Sequence, residues 1–193
     1  MRIITGIYKG RRFDVPNSFK ARPTTDFAKE NIFNVLRAYL DFEETRALDL
    51  FGGTGSISLE LVSRGCPRVV TVEKDRQHHR FITQCAAALA KDASHPLEAD
   101  TWLPLCGDVL KFVPRCHEPF GLVFADPPYA LTELPQLPDL VLSSEALAPD
   151  GIFVLEHGKD NDFSMHPAFL EHRQYGAVNF TLFRRPEAGS GDD

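Results

Sequence analysis

Leu48-Asp49-Leu50-Phe51-Gly52-Gly53-Thr54-Gly55-Ser56 is the stretch on which the fold turns. Three glycines fall within four positions, directly after the apolar strand-like segment 47–51 and directly before Ile57-Ser58-Leu59-Glu60-Leu61-Val62, which suits a helix. A strand that turns tightly into a helix needs glycine for two reasons: the turn wants positive φ, and a Cβ would hold a ligand away from the backbone. About twenty residues further on, Glu73 closes the apolar segment Arg68-Val69-Val70-Thr71-Val72, where an acidic side chain is expected to meet a ribose hydroxyl pair. The pattern points to a nucleoside site.

What is missing narrows the nucleoside. A dinucleotide fingerprint started at Gly53 continues with Gly55 but meets Ser58 where the third glycine belongs, which weakens the dinucleotide reading. The loop Asp49-x-Phe51-x-Gly53-x-Gly55 instead resembles the first motif of S-adenosylmethionine-dependent methyltransferases. The rival reading is a glycine-rich turn with no ligand, and a second motif speaks against it.

Outward from the loop, strand and helix signals alternate in the manner of an α/β protein. Residues 2–15 predict a small β-hairpin arm turning through Gly6, Lys9 and Gly10, ended by Pro16. Thr25 or Asp26 caps a helix whose spacing runs through Ala28, Ile32, Val35, Leu36 and Tyr39 to about Leu40. After the first strand, its helix at 56–64 and the second strand at 68–73 comes a helix from Asp75 to about Lys91. A polar loop at 92–100 then leads into a third strand at 102–106. Gly107-Asp108 ends that strand on the crevice that also receives Gly53 and Glu73, with Asp108 readable as a helix N-cap, an adenine acceptor or both. Phe120-Gly121-Leu122-Val123-Phe124-Ala125 is continuously apolar, as a strand covered on both faces would be. A helix at 137–147, a strand at 151–156 and an antiparallel hairpin of 172–175 with 178–184 complete the chain. The expected organisation is one domain over residues 1–186, with a disordered acidic tail at 187–193.

Composition restricts the function classes. The 193 residues carry a formal charge of −6, yet the first 22 hold Arg2, Lys9, Arg11, Arg12, Lys20 and Arg22 against the single acid Asp14, leaving −11 on the remainder. A basic arm on an acidic body suits a partner whose phosphates are met in one place. No apolar run reaches the ~18 residues of a membrane span, and Gly6 interrupts the start before a signal segment forms. Cys66, Cys85, Cys106 and Cys116 lack metal-ligand spacing, so all four are expected as core fillers in a cytoplasmic protein without a structural metal.

The second motif is Asp126-Pro127-Pro128-Tyr129, delivered by the buried strand 120–125. The consecutive prolines stiffen the backbone and donate no hydrogen. What remains is two acceptors, the Asp126 carboxylate and the Pro127 carbonyl, beside the aromatic face of Tyr129. A flat heteroaromatic amine complements that set, and stacking on the ring contributes roughly 1–3 kcal/mol per base. The lone pair of such an amine is delocalised into its ring. Two acceptors holding its hydrogens favour localisation of the pair toward a methyl donor, and alignment supplies much of the rate.

With both motifs in order, the chain resembles a class I, Rossmann-like methyltransferase. More narrowly, Arg2-Ile3-Ile4-Thr5-Gly6, Lys9-Gly10-Arg11-Arg12, Arg22-Pro23-Thr24-Thr25-Asp26, the loop 48–55 and Asp126-Pro127-Pro128-Tyr129 resemble the RsmD family, bacterial enzymes that methylate N2 of a guanine in 16S ribosomal RNA. The resemblance implies a mostly parallel seven-stranded sheet of order 3-2-1-4-5-7-6, its last hairpin antiparallel, with helices on both faces. It implies S-adenosyl-L-methionine held by Asp49, Phe51, Gly52, Gly53, Thr54, Gly55, Glu73, Lys74, Asp108 and Val109, with Asp126, Pro127, Pro128 and Tyr129 at the reacting amine. Arg2, Lys9, Arg11, Arg12 and Arg22 are the expected RNA contacts. The expected partner is 16S ribosomal RNA or an assembling small ribosomal subunit, met by a monomer. Gly52, Thr54 and Ala125 stand where the family commonly has alanine, serine and a larger apolar residue, and the 92–100 loop is longer than usual. Two rival classes use part of the same evidence: a DNA amino-methyltransferase, which needs a target-recognition region this length does not spare, and a catalytically inert RNA-binding assembly factor.

Overall fold

Apolar segments too continuous for a one-sided surface sheet lie side by side as parallel strands, covered on both faces except at the edge strand 102–106, where Leu103 and Cys106 are exposed. They are β1 (Arg46–Leu50), β2 (Arg68–Glu73), β3 (Trp102–Cys106), β4 (Phe120–Ala125) and β5 (Leu147–His157). With the antiparallel pair β6 (Phe169–Tyr175) and β7 (Val178–Arg184) they form one seven-stranded sheet of order β3-β2-β1-β4-β5-β7-β6, the order the resemblance implies. β1 pairs in parallel with β2 and β4, β2 with β3, and β4 with β5, whereas β7 runs antiparallel to both β5 and β6. This computed structural model describes residues 1–19 and 24–185. Arg22, among the expected RNA contacts, and the expected acidic tail at 187–193 lie outside them.

Helices pack on both faces. On one lie α1 (Asp26–Leu36), α2 (Ser56–Ser63) and α3 (Arg76–Ala90), whose Ile32, Phe33, Leu36, Leu59, Ile82 and Leu89 join Ala47, Val69, Leu122 and Phe124 of the sheet in a single core. The other face carries α4 (Val109–Phe112) and α5 (Leu137–Leu142), with Val109, Leu137 and Val141 against Leu48, Val70, Val123 and Phe153. Among the described residues no helix is long and apolar enough to cross a membrane.

Several elements end earlier or start earlier than the sequence pattern predicts. The spacing through Tyr39 carries the first helix to Leu40, but α1 stops at Leu36 and tightens into a turn in which Ala38 donates to the Val35 carbonyl and Tyr39 to that of Leu36. Tyr39 keeps the helical spacing for a tertiary reason, since its hydroxyl reaches Glu171 on β6. α5 ends at Leu142 rather than 147 because the Ser143 and Ser144 hydroxyls turn back to the carbonyls of Leu140 and Val141, a competition in which serine side chains displace helical bonding. β5 then begins at Leu147, opposite Phe120, with a register shift before Leu122 meets Ile152. Of the four cysteines, Cys66, Cys85 and Cys116 are buried as expected, but Cys106 is exposed at the end of edge strand β3.

The amino-terminal arm forms the expected small hairpin: Arg2 and Arg12 make an antiparallel bridge, Met1 and Phe13 exchange backbone bonds of 3.0 Å, Ile3 N donates to the Arg11 carbonyl at 3.0 Å and Gly10 N to the Ile3 carbonyl at 2.9 Å. The segment is seated on α2: Ile4 and Thr5 donate their backbone N–H groups to the two carboxylate oxygens of Glu60, at 3.0 and 2.9 Å, and Ile7 donates to the Ser63 carbonyl at 2.8 Å. Glu60 is fully buried and is met there by Arg64 at 3.2 Å and by Lys29 Nζ at 3.6 Å. Lys29 Nζ also donates to the Arg2 carbonyl at 2.8 Å and to Ser56 Oγ at 3.0 Å. One buried cation thereby joins the arm, α1 and the first residue of α2.

Candidate active site

The carboxyl edge of the parallel strands gathers the residues that the two motifs singled out. Between β1 and α2 the chain makes the tight turn the glycines predict, but they serve different ends. Gly53 has φ +56°, and a Cβ built there would meet nothing nearer than the Phe51 carbonyl oxygen at 3.8 Å, so its outer side is open. Gly52 is needed for closeness, because a Cβ would lie 2.4 Å from Thr71 Cγ2. Phe51 has φ +60°, which costs a non-glycine residue on the order of 1–3 kcal/mol and persists only where surrounding contacts impose it.

Beneath the turn is a chain of buried polar groups. Asp49 accepts from Ser58 N at 3.1 Å and Ser58 Oγ at 2.6 Å, the Ser58 hydroxyl lies 2.5 Å from Thr71 Oγ1, and Trp102 Nε1 donates to Thr71 at 2.8 Å. Asp49 thus holds the start of α2 against the sheet. Burial pushes its carboxyl up to about 7, the Ser58 bonds pull it back, and the Glu73 charge adds to the rise.

Glu73 stands at the end of β2, where its Oε2 accepts from Gly53 N at 2.7 Å and its Oε1 from Asp75 N at 2.7 Å. It fixes the glycine turn directly and keeps a lone pair free on each oxygen. Lys74 and Asp108 form an exposed pair at 3.2 Å, and Asp108 also caps α4 through Leu110 N at 3.0 Å. The Lys74 bond and the capping N–H hold the Asp108 carboxyl below its ordinary range. Thr54 is buried in the turn, Gly55 is the left-handed residue that starts α2, and Val109 is buried behind Asp108. Glu73→Ala orphans two backbone donors, and if Glu73 meets the ribose hydroxyls as the sequence leads one to expect, the change weakens S-adenosylmethionine binding by about 1–3 kcal/mol. Calorimetry on the purified variant checks this, and unchanged affinity would remove Glu73 from the cofactor site.

Asp126 follows β4 directly and faces the same side as Glu73. Among the described residues no donor meets its carboxylate, and none meets the Pro127 carbonyl. Burial raises the Asp126 carboxyl well above its ordinary value, and the charges of Glu156 and then Asp49 raise it further. Pro127 is buried and Pro128 exposed, with the Pro128 carbonyl accepting from Leu131 N at 2.9 Å. Tyr129 is 48% exposed, so one side of its ring is free. Its other side lies on Gly158, where a Cβ would come within 3.2 Å of the ring.

Sequence reasoning passed over two residues here. Glu156, near the end of β5, accepts from Tyr129 OH at 3.1 Å and from Thr24 Oγ1 at 3.2 Å. Burial pushes its carboxyl up to about 7 against the pull of those two bonds, while burial and then the Glu156 charge raise the Tyr129 phenol. The signal was available: an acid that closes a buried strand, as Glu73 does. Thr24 ties the start of α1 to this edge through Glu156.

The expected RNA contacts do not share one environment. Arg2 pairs with Asp26 at 3.0 Å at the surface. Arg11 is held by Asp92, by the Ala88 carbonyl at 3.3 Å and by the Phe13 ring, 5.6 Å from its centroid. Asp92 belongs to the long loop at 92–100, which also accepts Tyr8 OH on the His95 carbonyl at 2.6 Å, so that loop seats the arm. Lys9 and Arg12 are exposed and form no ion pair among the described residues. No cluster of His, Cys, Asp and Glu suited to a metal occurs among the described residues.

Comparison with known proteins gives a consistent picture. The family model described as conserved hypothetical protein 95 matches residues 1–184. Ribosomal RNA small subunit methyltransferase D of Escherichia coli is 28% identical over 195 residues, covering 100% of this chain and 93% of that protein. The protein of the same name from Haemophilus influenzae is 31% identical over 186 residues, covering 95% and 93%. A solved structure of a hypothetical protein from Thermus thermophilus superimposes with a TM-score of 0.79 at 30% identity, covering 95% of this chain and 98% of that one.

Proposed function

Because this chain belongs to the RsmD-type family described as conserved hypothetical protein 95, we propose that it is an S-adenosyl-L-methionine-dependent methyltransferase of ribosomal RNA. The acceptor we assign is the exocyclic N2 amine of a guanine in 16S ribosomal RNA, free or in an assembling small subunit. The observation that carries the reading is a pair of acceptors with no donor among the described residues, the Asp126 carboxylate and the Pro127 carbonyl, beside the half-exposed ring of Tyr129. The names of the relatives support ribosomal RNA as the substrate class.

The residues present fit the cofactor. The open side of Gly53, the unfilled lone pairs of Glu73 and the acid Asp108 line one edge, and they suit a backbone approach, a ribose diol and an adenine amine respectively. When bound, S-adenosylmethionine supplies a methyl group on an electrophilic sulfonium sulfur. The protein's own part is to hold and orient the amine. Tyr129, braced by Gly158 and Glu156, offers a fixed stacking face; Asp126 and the Pro127 carbonyl take the amine hydrogens and turn the nitrogen lone pair outward. The attacking nitrogen becomes strongly acidic as it is alkylated, so Asp126 or water suffices to remove its proton.

The test is incubation of the purified protein with labelled S-adenosylmethionine and separate pools of ribosomal RNA, small-subunit particles and DNA, followed by nucleoside analysis. N2-methylguanosine from the RNA or the particles is the expected product. N6-methyladenine or N4-methylcytosine in the DNA pool, or no transfer to any pool, would overturn the reading.

The arm gives a second expectation. Replacing Lys9 and Arg12 by Ala is expected to reduce the slope of log RNA affinity against log salt by roughly 0.7–0.9 for each phosphate contact removed, and to leave cofactor affinity unchanged. Arg11→Ala is expected to act mainly on stability, because Arg11 is already engaged by Asp92 and Ala88. Filter binding across a salt series and thermal melts separate the two effects; a Lys9/Arg12 variant with wild-type slope would remove the arm from the RNA interface.

A further inference from the structure

Glu156 lies beside the proposed amine site, where its bonds within the protein brace only Tyr129 and Thr24. β4 and β5 are parallel neighbours with Ala125 opposite Leu155. One step further along, Asp126 and Glu156 therefore stand side by side on the same face, about 4.8 Å apart in backbone spacing. Both are acids, Glu156 is buried and Asp126 partly so, and among the described residues neither forms an ion pair with Lys, Arg or His. A buried carboxylate that no cation answers is costly, and two adjacent ones raise each other's cost, so the pair suits a ligand that brings hydrogen-bond donors.

The ligand's chemistry follows from the count of donors. Adenine and cytosine each present an exocyclic amine beside a ring nitrogen that accepts a hydrogen bond. Guanine presents its amine beside N1–H, which donates. An edge of two adjacent acceptors fits guanine and mismatches the other two, because a ring nitrogen facing a carboxylate leaves two acceptors unpaired in an enclosed site. Glu156 has the capacity for this bond in its ionised form, which burial opposes and the donors facing it favour: Tyr129 OH takes one lone pair of Oε1 and Thr24 Oγ1 one of Oε2, and N1–H adds a third donor. Those same bonds hold the carboxylate rigid, and rigid placement is what selection of a base by its edge requires.

We propose that Glu156 is the specificity-determining residue of the site: it accepts N1–H of the target purine while Asp126 and the Pro127 carbonyl hold the neighbouring amine, and it restricts methyl transfer to guanine. The proposal deepens the reading of the site as a guanine-N2 methyltransferase and rests on it.

The experiment compares RNA substrates that carry, at the mapped target position, either guanosine or 2-aminopurine riboside. The analogue keeps the C2 amine but has an acceptor at N1. The wild-type protein is expected to prefer guanosine about tenfold or more in kcat/KM. Glu156→Gln, whose amide can turn either an acceptor or a donor toward N1, is expected to lose guanosine activity and to compress the preference to within about threefold. Cofactor affinity and melting temperature of the variant report whether it folds. The wild-type comparison needs no variant, so a misfolded Gln protein does not leave the question open. Equal use of both bases by the wild-type protein, or a Gln variant that slows both equally and keeps the ratio, overturns the proposal and reduces Glu156 to a support for Tyr129. Absence of transfer to either base by the wild-type protein strikes the guanine-N2 reading itself.

Discussion

Asp126→Ala is expected to lower kcat about 100- to 10,000-fold while leaving the affinity for S-adenosylmethionine within about threefold of wild type. The separation follows from position. Asp126 follows β4 directly and its carboxylate meets no donor among the described residues, whereas the turn that suits the cofactor follows β1 and Glu73 lies beyond it on β2, with their own hydrogen bonds intact. Asp126→Asn keeps one acceptor oxygen and removes a charge the site holds with difficulty, given the burial that raises this carboxyl and the Glu156 charge beside it. It is therefore expected to fall between wild type and the Ala variant. Single-turnover rates at saturating RNA, read together with calorimetry for the cofactor, make the measurement. An Ala variant with more than a tenth of wild-type turnover would mean that the amine is held elsewhere.

Glu60→Ala is expected to destabilise the fold by about 3–5 kcal/mol, the usual cost of breaking a buried charge pair by removing one partner. At this chain length that is a fall in Tm of roughly 6–20 °C. The change strands Lys29 and Arg64 without their anion and leaves the Ile4 and Thr5 N–H groups without acceptors. Burial already lowers the Lys29 amine, with the Glu60 charge countering that effect, so loss of Glu60 leaves Lys29 with the unfavourable half. Combining Glu60→Ala with Lys29→Met is expected to recover part of the loss, because the orphaned cation goes too. Denaturant unfolding of the two variants and wild type decides it; a Glu60→Ala protein within about 1 kcal/mol of wild type would show that this carboxylate does not hold the arm in place.

The turn, the parallel strands and their order could be anticipated because each leaves a local or familial mark. Glycine at 52, 53 and 55 has few uses together, and the unbroken apolar run at 120–125 is hard to place anywhere but inside a parallel sheet. The seat of the arm left no such mark. An acid within a helix reads as solvated, but Glu60 lies in α2, which is buried on every side, and the backbone donors that meet its carboxylate come from more than fifty positions away. Arg11 likewise reads as a phosphate contact in a basic stretch of sequence, because the Asp92 and Ala88 that surround it are distant along the chain. Glu156 was passed over although it closes an apolar strand as Glu73 does, because no glycine turn follows to draw attention to it. Helix ends failed where single hydroxyls decide them, as Ser143 and Ser144 do at the end of α5.

The docking of the arm on α2 also has a bearing on the order in which the chain acquires structure. Residues 3–8 are synthesised before the groups that receive them, Glu60, Ser63 and the His95 carbonyl, which follow some fifty-five to ninety positions later. Until then Ile3 and Tyr8, both buried in the finished molecule, have nothing to cover them. Closing so long a loop is entropically slow and is offset only once α2 and α3 are on the sheet. A segment made before its seat is thus among the last to settle, and any delay in forming the β1-to-α3 unit prolongs the lifetime of a sticky, cationic stretch.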